Sequence, residues 1–442
     1  MKEIDSLKSL IQASVSPYHC IAKAAGRLAE AGFSRLELGT PWELSAGNSY
    51  FVPVYDSTLI AFAVGGIAPG LSPTLRIAAA HTDWPCLKLK PSPELSGHGY
   101  GKLNVEVYGG PILSTWLDRP LSVAGKVCLM SDDPFHPHVR FYCSPRPILT
   151  IPNLAIHMNR DVNKGVALNP QVDMLPLADV LTDQLNKDRF FLDFLADQLH
   201  TAPESILDYE LCIFNPEEGC TLGLQGELFS CPRLDNLTSV EACLAGLISA
   251  RQSAPQANSI QVIALYDNEE IGSRTKQGAA SNLTERVLEK IYLSLGFGRS
   301  DFLDALFNGF LLSLDVAHAI HPNHPEKCDV KNQITMGDGV AIKLAASQSY
   351  ATDASHASVI QALCQSNGIP YRKFSNRSDS RGGSTLGSIS SAFLNMPTVD
   401  AGIPILAMHS SRELMHVNDQ KALNELVKAY FGGSAPSPTN PV

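Results

Sequence analysis

Four apolar runs in this chain each end on residue types that bind metals, and this repetition constrains the fold more than any other feature. They are TLRIAAAHTD, ending at His81 and Asp83, and SIQVIALYDNEE, ending at Glu269 and Glu270. The other two are FLLSLDVAHAIHPN, carrying Asp315 and His318, and PTVDAGIPILAMHS, ending at His409. Short apolar runs without polar alternation suit strands of a largely parallel sheet covered on both faces. Ligands of such sheets gather at the carboxyl ends of the strands. Residues far apart in the chain would then meet at one edge, and a His/Asp/Glu cluster there reads as a metal site.

With 442 residues the chain is long enough for two or three domains and a large core. Hydrophobic residues at 44% and charged residues at 18% describe an ordinary soluble globular protein. The formal net charge of −10 argues against nucleic acid or an anionic membrane as partner, because both need basic surface. No apolar run is long enough for a membrane span, and the start MKEIDSLKSLIQASV reads as an amphipathic helix, not a signal peptide. The ten cysteines, from Cys20 to Cys364, form no CxxC pair, which suggests reduced thiols in a cytoplasm. Each reads as a small buried hydrophobe, Cys86 included, although it follows His81 and Asp83 closely.

The organisation along the chain is uneven. Residues 1–36 carry a helical pattern, followed by strand-like segments such as SYFVPVYDSTLIAFAVGG. From about 95 to 225 the texture changes: YGKLNVEVYGGPILSTW, LSVAGKVCLM and HVRFYCSPRPILTI show two-residue alternation, as expected of an antiparallel β-rich unit. That stretch also holds a helix-like segment, DRFFLDFLADQLH. Residues 95–225 are therefore predicted to be inserted into an α/β domain made of residues 1–94 and 226–442. The tail GGSAPSPTNPV is rich in Gly, Pro and Ser and reads as frayed.

Within Asp267-Asn268-Glu269-Glu270, adjacent acidic residues fit a solvated loop. They also fit a division of labour, one carboxylate binding metal while its neighbour takes a proton from water. Gly272 permits the tight turn that such an edge needs. In Arg233-Leu234-Asp235-Asn236-Leu237, Asp235 or Asn236 fits a helix N-cap, and Asp235 equally fits a carboxylate bridging two metals. Asp83, two residues after His81, is spaced to hold that imidazole in a metal-binding orientation. Asp315 and His409 taken singly fit structural roles as well. Two histidines with several carboxylates at strand ends match the ligand set of zinc, with manganese or cobalt as substitutes.

The motifs HTDWPCLKLKP, YGGPILSTWLDRPL, IPNLAIHMNRDVN, RLDNLTS, YDNEEIGS and SLDVAHAIHPN follow one another along the chain. GVAIK, SYAT, RSDSRGGSTLG and TVDAGIPILAMHSSRE complete the series. In these motifs, and over nearly its whole length, the chain resembles the aspartyl aminopeptidases, a family of dinuclear zinc metallopeptidases, and within them the bacterial branch.

The resemblance implies an α/β/α catalytic domain interrupted by a β-rich dimerisation domain, and assembly into a tetrahedral dodecamer. It implies that His81 and Asp315 hold one zinc ion, Glu270 and His409 a second, and that Asp235 bridges both. Glu269 would be the general base, and Asp83 would orient His81. His157 would enter the active site of a neighbouring subunit, while His318, Lys343, Tyr350 and Met408 would surround the substrate side chain, Lys343 facing its carboxylate. Departures from the family pattern stand at Trp84, Asn268, Asn332 and Ser349. They are expected near substrate-facing loops and bear on how strictly acidic residues are preferred. The expected function is removal of an N-terminal residue, preferably Asp or Glu, from short peptides. A neutral-residue aminopeptidase or an amidohydrolase on N-acylated amino acids would use the same metal site. A catalytically silent oligomeric shell is disfavoured by the intact ligand set.

Overall fold

In the computed structural model, Leu75, Ile77 and Ala79 point into one hydrophobic core while Ala78 and Ala80 point into another. The strand Thr74–His81 is thus buried on both faces, as its unbroken apolar run requires. The structure describes residues 2–181, 188–253, 256–380 and 382–432; the tail from 433 onward lies outside them. Thr74–His81 is the middle strand of a nine-stranded sheet. Ser259–Tyr266 and Phe310–Leu314 flank it in parallel, and Thr398–Gly402 extends the parallel block. Three antiparallel pairings outside that block make the whole sheet mixed.

Helices cover both faces. Lys2–Ala13, Pro17–Glu30, Leu234–Gln252, Ala354–Ser366 and Val417–Gly432 build one core with the sheet; Leu283–Ser294, Arg299–Phe307 and Leu386–Leu394 build the other. Lys2–Ala13 shows why: Ile4, Leu7, Leu10 and Ile11 form a single buried stripe at helical spacing. Among the described residues no helix is long and apolar enough to cross a membrane.

A six-stranded antiparallel sheet lies in sequence between the parts of the large one. Its order is His138–Cys143, Ser122–Leu129, Ile206–Phe214, Cys86–Gly97, Tyr100–Tyr108, Leu177–Val180. It begins at Cys86 and ends at Phe214, so both edges of the unit predicted at 95–225 shift. Leu87 and Leu89 are buried with Lys88 and Lys90 alternating between them, and the Pro-containing stretch that follows is a register shift inside one strand, not a boundary. At the other end, Cys220–Leu222 and Leu228–Cys231 join Glu413–His416, Pro404–Leu406 and Ala317–His318 in a five-stranded sheet that the sequence did not suggest.

This third sheet corrects the reading of two apolar runs. PTVDAGIPILAMHS leaves the large sheet after Gly402 and re-forms as Pro404–Leu406, so His409 sits on the turn that follows, at φ 67°. FLLSLDVAHAIHPN likewise divides into Phe310–Leu314 and Ala317–His318, with Asp315 at the break.

At Gly402 the two parts pack without room for a side chain. A Cβ there would lie 1.7 Å from the Asp315 carbonyl oxygen. Gly402→Ala is therefore expected to displace the Asp315 backbone and to cost roughly 1–3 kcal/mol. A denaturant titration of the variant should show an earlier midpoint, and an unchanged midpoint would contradict this packing.

Candidate metal centre and active site

His81 ends its strand fully buried, with Nδ1 3.0 Å from the Asp83 carbonyl oxygen. Its Nε2 lies 3.3 Å from Asp235 Oδ1 and 3.6 Å from Asp315 Oδ1. His409 repeats the arrangement from the far side. Its Nδ1 is 3.0 Å from the Gly110 carbonyl oxygen, and its Nε2 is 3.5 Å from both Asp235 Oδ2 and Glu270 Oε2. A ring N–H donated to a carbonyl fixes the tautomer and leaves the opposite nitrogen free for a cation. Two donor groups result, sharing Asp235 through one oxygen each: His81 with Asp315, and His409 with Glu270. Donor atoms of His81, Asp235 and Glu270 all fall within 4.8 Å of one another.

The electrostatics show what this cluster lacks. Asp235 Oδ1 and Glu270 Oε1 are buried without a hydrogen-bond donor. Burial pushes the Asp235 carboxyl up, yet the imidazoles of His409 and His81 outweigh it and hold the group below the usual carboxylate range. For Asp315 burial is likewise outweighed, by Lys343 and His81. Burial pushes Glu269 up to about 8, His81 pulling against it and the carboxylates of Asp315, Asp83 and Asp235 adding to it. Crowded buried carboxylates with orphan oxygens call for positive charge. Two imidazole nitrogens with carboxylate oxygens are a donor set that zinc accepts, so the residues fit that ion.

Asp83 does more than its spacing suggested. Its Oδ1 is 3.4 Å from His81 Nδ1, farther than its own carbonyl. Its carboxylate chiefly holds the base loop: the amides of Glu269 and Glu270 donate to Oδ1 and Oδ2 at 3.1 Å each, and Tyr108 Oη donates to Oδ2 at 2.7 Å. Neither Asp235 nor Asn236 caps the helix, because Oδ1 of each accepts no backbone N–H; the Asp235 side chain meets the imidazoles, while Asn236 donates to the Leu314 carbonyl.

A cavity of about 390 Å³ brings together His81, Asp235, Glu269, Glu270, Asp315 and His409. His318, Lys343, Tyr350 and Met408 line it too. His157 does not; it is exposed on the loop that follows Ile151. None of the four departures lines this cavity. Trp84 packs beside the Arg233 guanidinium, and Asn332 donates to Asp329. Ser349 accepts from Ser347, and Asn268 supports the base loop, donating to Tyr108 Oη and accepting from Thr275.

Three contributors escaped the sequence reading: Tyr108, the Gly110 carbonyl and Glu413. Tyr108 and Gly110 lie in a segment that reads as ordinary antiparallel strand. Glu413 follows a charged arginine and looks like surface, yet it is only 2% exposed.

Comparison with known proteins places the chain in a family. The profile of a family described as "Aminopeptidase I zinc metalloprotease (M18)" matches residues 10–431. A Clostridium acetobutylicum protein named probable M18 family aminopeptidase 2 is 43% identical over 434 residues, 97% of this chain and 99% of its own. A chain in the cryo-EM structure of the Ape4 and Nbr1 complex superposes with a TM-score of 0.92 at 33% identity, over 97% of this chain and 85% of that one. The S. cerevisiae mApe1 dodecamer shares the fold, with a TM-score of 0.84 at 24% identity over 98% and 97% of the two chains. The chain belongs to the M18 family and is a zinc metallo-aminopeptidase, a hydrolase of peptide bonds.

Proposed function

We propose that the protein uses two zinc ions per chain to remove N-terminal residues, preferably Asp or Glu, from short peptides. The observation that carries this reading is the pair of donor groups joined through Asp235, facing one cavity with Glu269 and Lys343. His81 and Asp315 would hold one ion, His409 and Glu270 the other, and Asp235 both; manganese or cobalt would fit the same oxygens and nitrogens. Zinc, when bound, supplies a Lewis acid that polarises the scissile carbonyl and makes water easier to deprotonate. Glu269 accepts the water proton and returns it to the leaving amine. Asp83 keeps that carboxylate in place through the loop amides.

Glu269→Gln should retain fold and zinc while losing about 10²–10⁴-fold in turnover, since an amide cannot take the proton. Near wild-type turnover would remove Glu269 from the role. The reading as a whole is tested by a hydrolysis panel of Asp, Glu, Leu and N-acetyl substrates, with added zinc, manganese or cobalt. Faster release of acidic residues is expected, and preferential cleavage of N-acetyl amino acids would replace the reading with an amidohydrolase.

Lys343 is the group proposed to read the side chain. It lines the cavity beside Tyr350, and it donates to the Val316 carbonyl at 2.8 Å and to Asp315 Oδ2 at 3.4 Å. An ammonium has three N–H donors, which leaves one for a substrate carboxylate. The same two contacts favour the rival reading of a neutral-residue aminopeptidase, in which Lys343 serves only Asp315. The ratio of kcat/KM for Asp over Leu substrates separates the two, because loss of the Asp315 contact lowers both values together. Lys343→Met should reduce that ratio by roughly 10- to 100-fold, in line with about 1.5–3 kcal/mol for a charge-assisted hydrogen bond. An unchanged ratio would assign the lysine to Asp315 alone.

His157 and its loop support an oligomeric reading: a dodecamer built from dimers through the six-stranded sheet, with His157 serving a neighbouring site. Leu154, Ile156 and Met158 around it are exposed, and mApe1 is a dodecamer. All ten cysteines are free, as a cytoplasmic location would require. His157→Ala should lower turnover at constant zinc content. Hybrid particles made with Glu269→Gln chains should recover activity, since a chain with Glu269 can then receive His157 from its neighbour. Hybrids without recovery would place the role of His157 within its own chain.

A further inference from the structure

Glu413 begins the strand Glu413–His416 and is buried beneath the metal cluster. Its carboxylate meets no lysine or arginine within ion-pair distance among the described residues. What it holds are two backbone amides. The His409 N–H donates to Oε1 at 2.9 Å, and the Asp235 N–H donates to Oε2 at 3.0 Å. These amides belong to residues 174 positions apart, one supplying an imidazole and the other the carboxylate between the two donor groups. Asp83 does the same on the other side, spanning the amides of Glu269 and Glu270. His409 needs such an anchor, because its turn holds both Ala407 and His409 in the left-handed region, at φ 56° and 67°.

We propose that Glu413 is a positioning residue for zinc: by bridging the Asp235 and His409 amides it sets the spacing of the His409–Asp235–Glu270 group. The inference rests on the dinuclear reading above. It follows from geometry that one carboxylate with two acceptor oxygens can fix two ligand-bearing backbones at once, and that no neutral side chain of the same size can. Glutamine offers one acceptor and turns an NH₂ toward the second amide, donor against donor. Outer partners of metal ligands typically change metal affinity or activity by about 10–100-fold when altered.

The test is a zinc titration of wild type and Glu413→Gln against a chromophoric chelator, with thermal unfolding of both proteins in apo and zinc-loaded form. The expected result is one zinc per chain weakened by about 10–100-fold. The apo midpoint should stay close to wild type, stabilisation by zinc should shrink, and kcat should fall and partly recover in excess zinc while KM holds. Glu413→Asp, which keeps the charge but is one methylene too short to span both amides, should behave the same way and serves if the Gln variant does not fold. Wild-type zinc affinity in both variants would overturn the proposal. So would equal loss of apo and loaded stability with both zinc ions still tightly held, which is the mark of a purely structural role. Wild type taking up fewer than two zinc ions would instead overturn the dinuclear reading.

Discussion

Asp235 is a buried carboxylate caught between two imidazoles, and the rest of the architecture serves to keep it there. Removing a carboxylate from water is costly unless charge and hydrogen bonds replace the solvent. Here Nε2 of His81, from the large sheet, and Nε2 of His409, from a turn of the small sheet, face the carboxylate yet leave Oδ1 without a donor, so a cation is what fits between them. Glu269, Glu270 and Asp315 crowd the same edge, so repulsion among them has to be balanced. Positive charge balances it, and the orphaned oxygens of Asp235 and Glu270 mark where that charge belongs.

Carboxylates serve two purposes around this centre. Those of Asp235, Glu270 and Asp315 point at imidazoles and remain open to a cation. Those of Asp83 and Glu413 are spent on backbone amides and hold the loops from which other donors project. An amide fixed by a buried acceptor cannot drift, and ligand spacing at a metal tolerates little drift. The six-stranded sheet is part of the same device. The Gly110 carbonyl that orients His409 and the Tyr108 hydroxyl that supports Asp83 both come from the end of its strand Tyr100–Tyr108. A Cβ at Gly109 would lie 3.1 Å from Glu270 Cβ, so this segment passes close to the cluster only because it carries glycine there.

The departures from the family pattern show how position along the chain can mislead about position in space. Asn268 adjoins the proposed base, yet it turns under the loop to Tyr108 and Thr275. Trp84 follows the ligand segment by one residue beyond Asp83, yet it packs on Arg233. Lys343 and Tyr350, far from either in sequence, line the cavity. The edges of the inserted sheet were misplaced for a related reason: a proline-containing bulge and a domain boundary leave the same local signature, and only the pairing of Glu94 with Leu103 tells them apart.

The sheet class and most of the candidate donors can be read from the sequence alone. Unbroken apolar runs demand burial on both faces, and ligand-type residues at their ends demand a common edge. His81, Glu269, Glu270, Asp315 and His409 are candidates for that reason, whereas Asp235 precedes a helix and is singled out by its motif RLDNLTS. What only the tertiary structure decided was how those donors are oriented and held: that His409 comes from a turn of a third sheet, that Asp83 grips amides more than an imidazole, and that Glu413 and Gly110 belong to the site at all. Such roles rest on backbone N–H and carbonyl groups, which every residue carries and no side-chain pattern reports. They arise only when distant segments meet, here residues 235 and 409 across a single buried carboxylate.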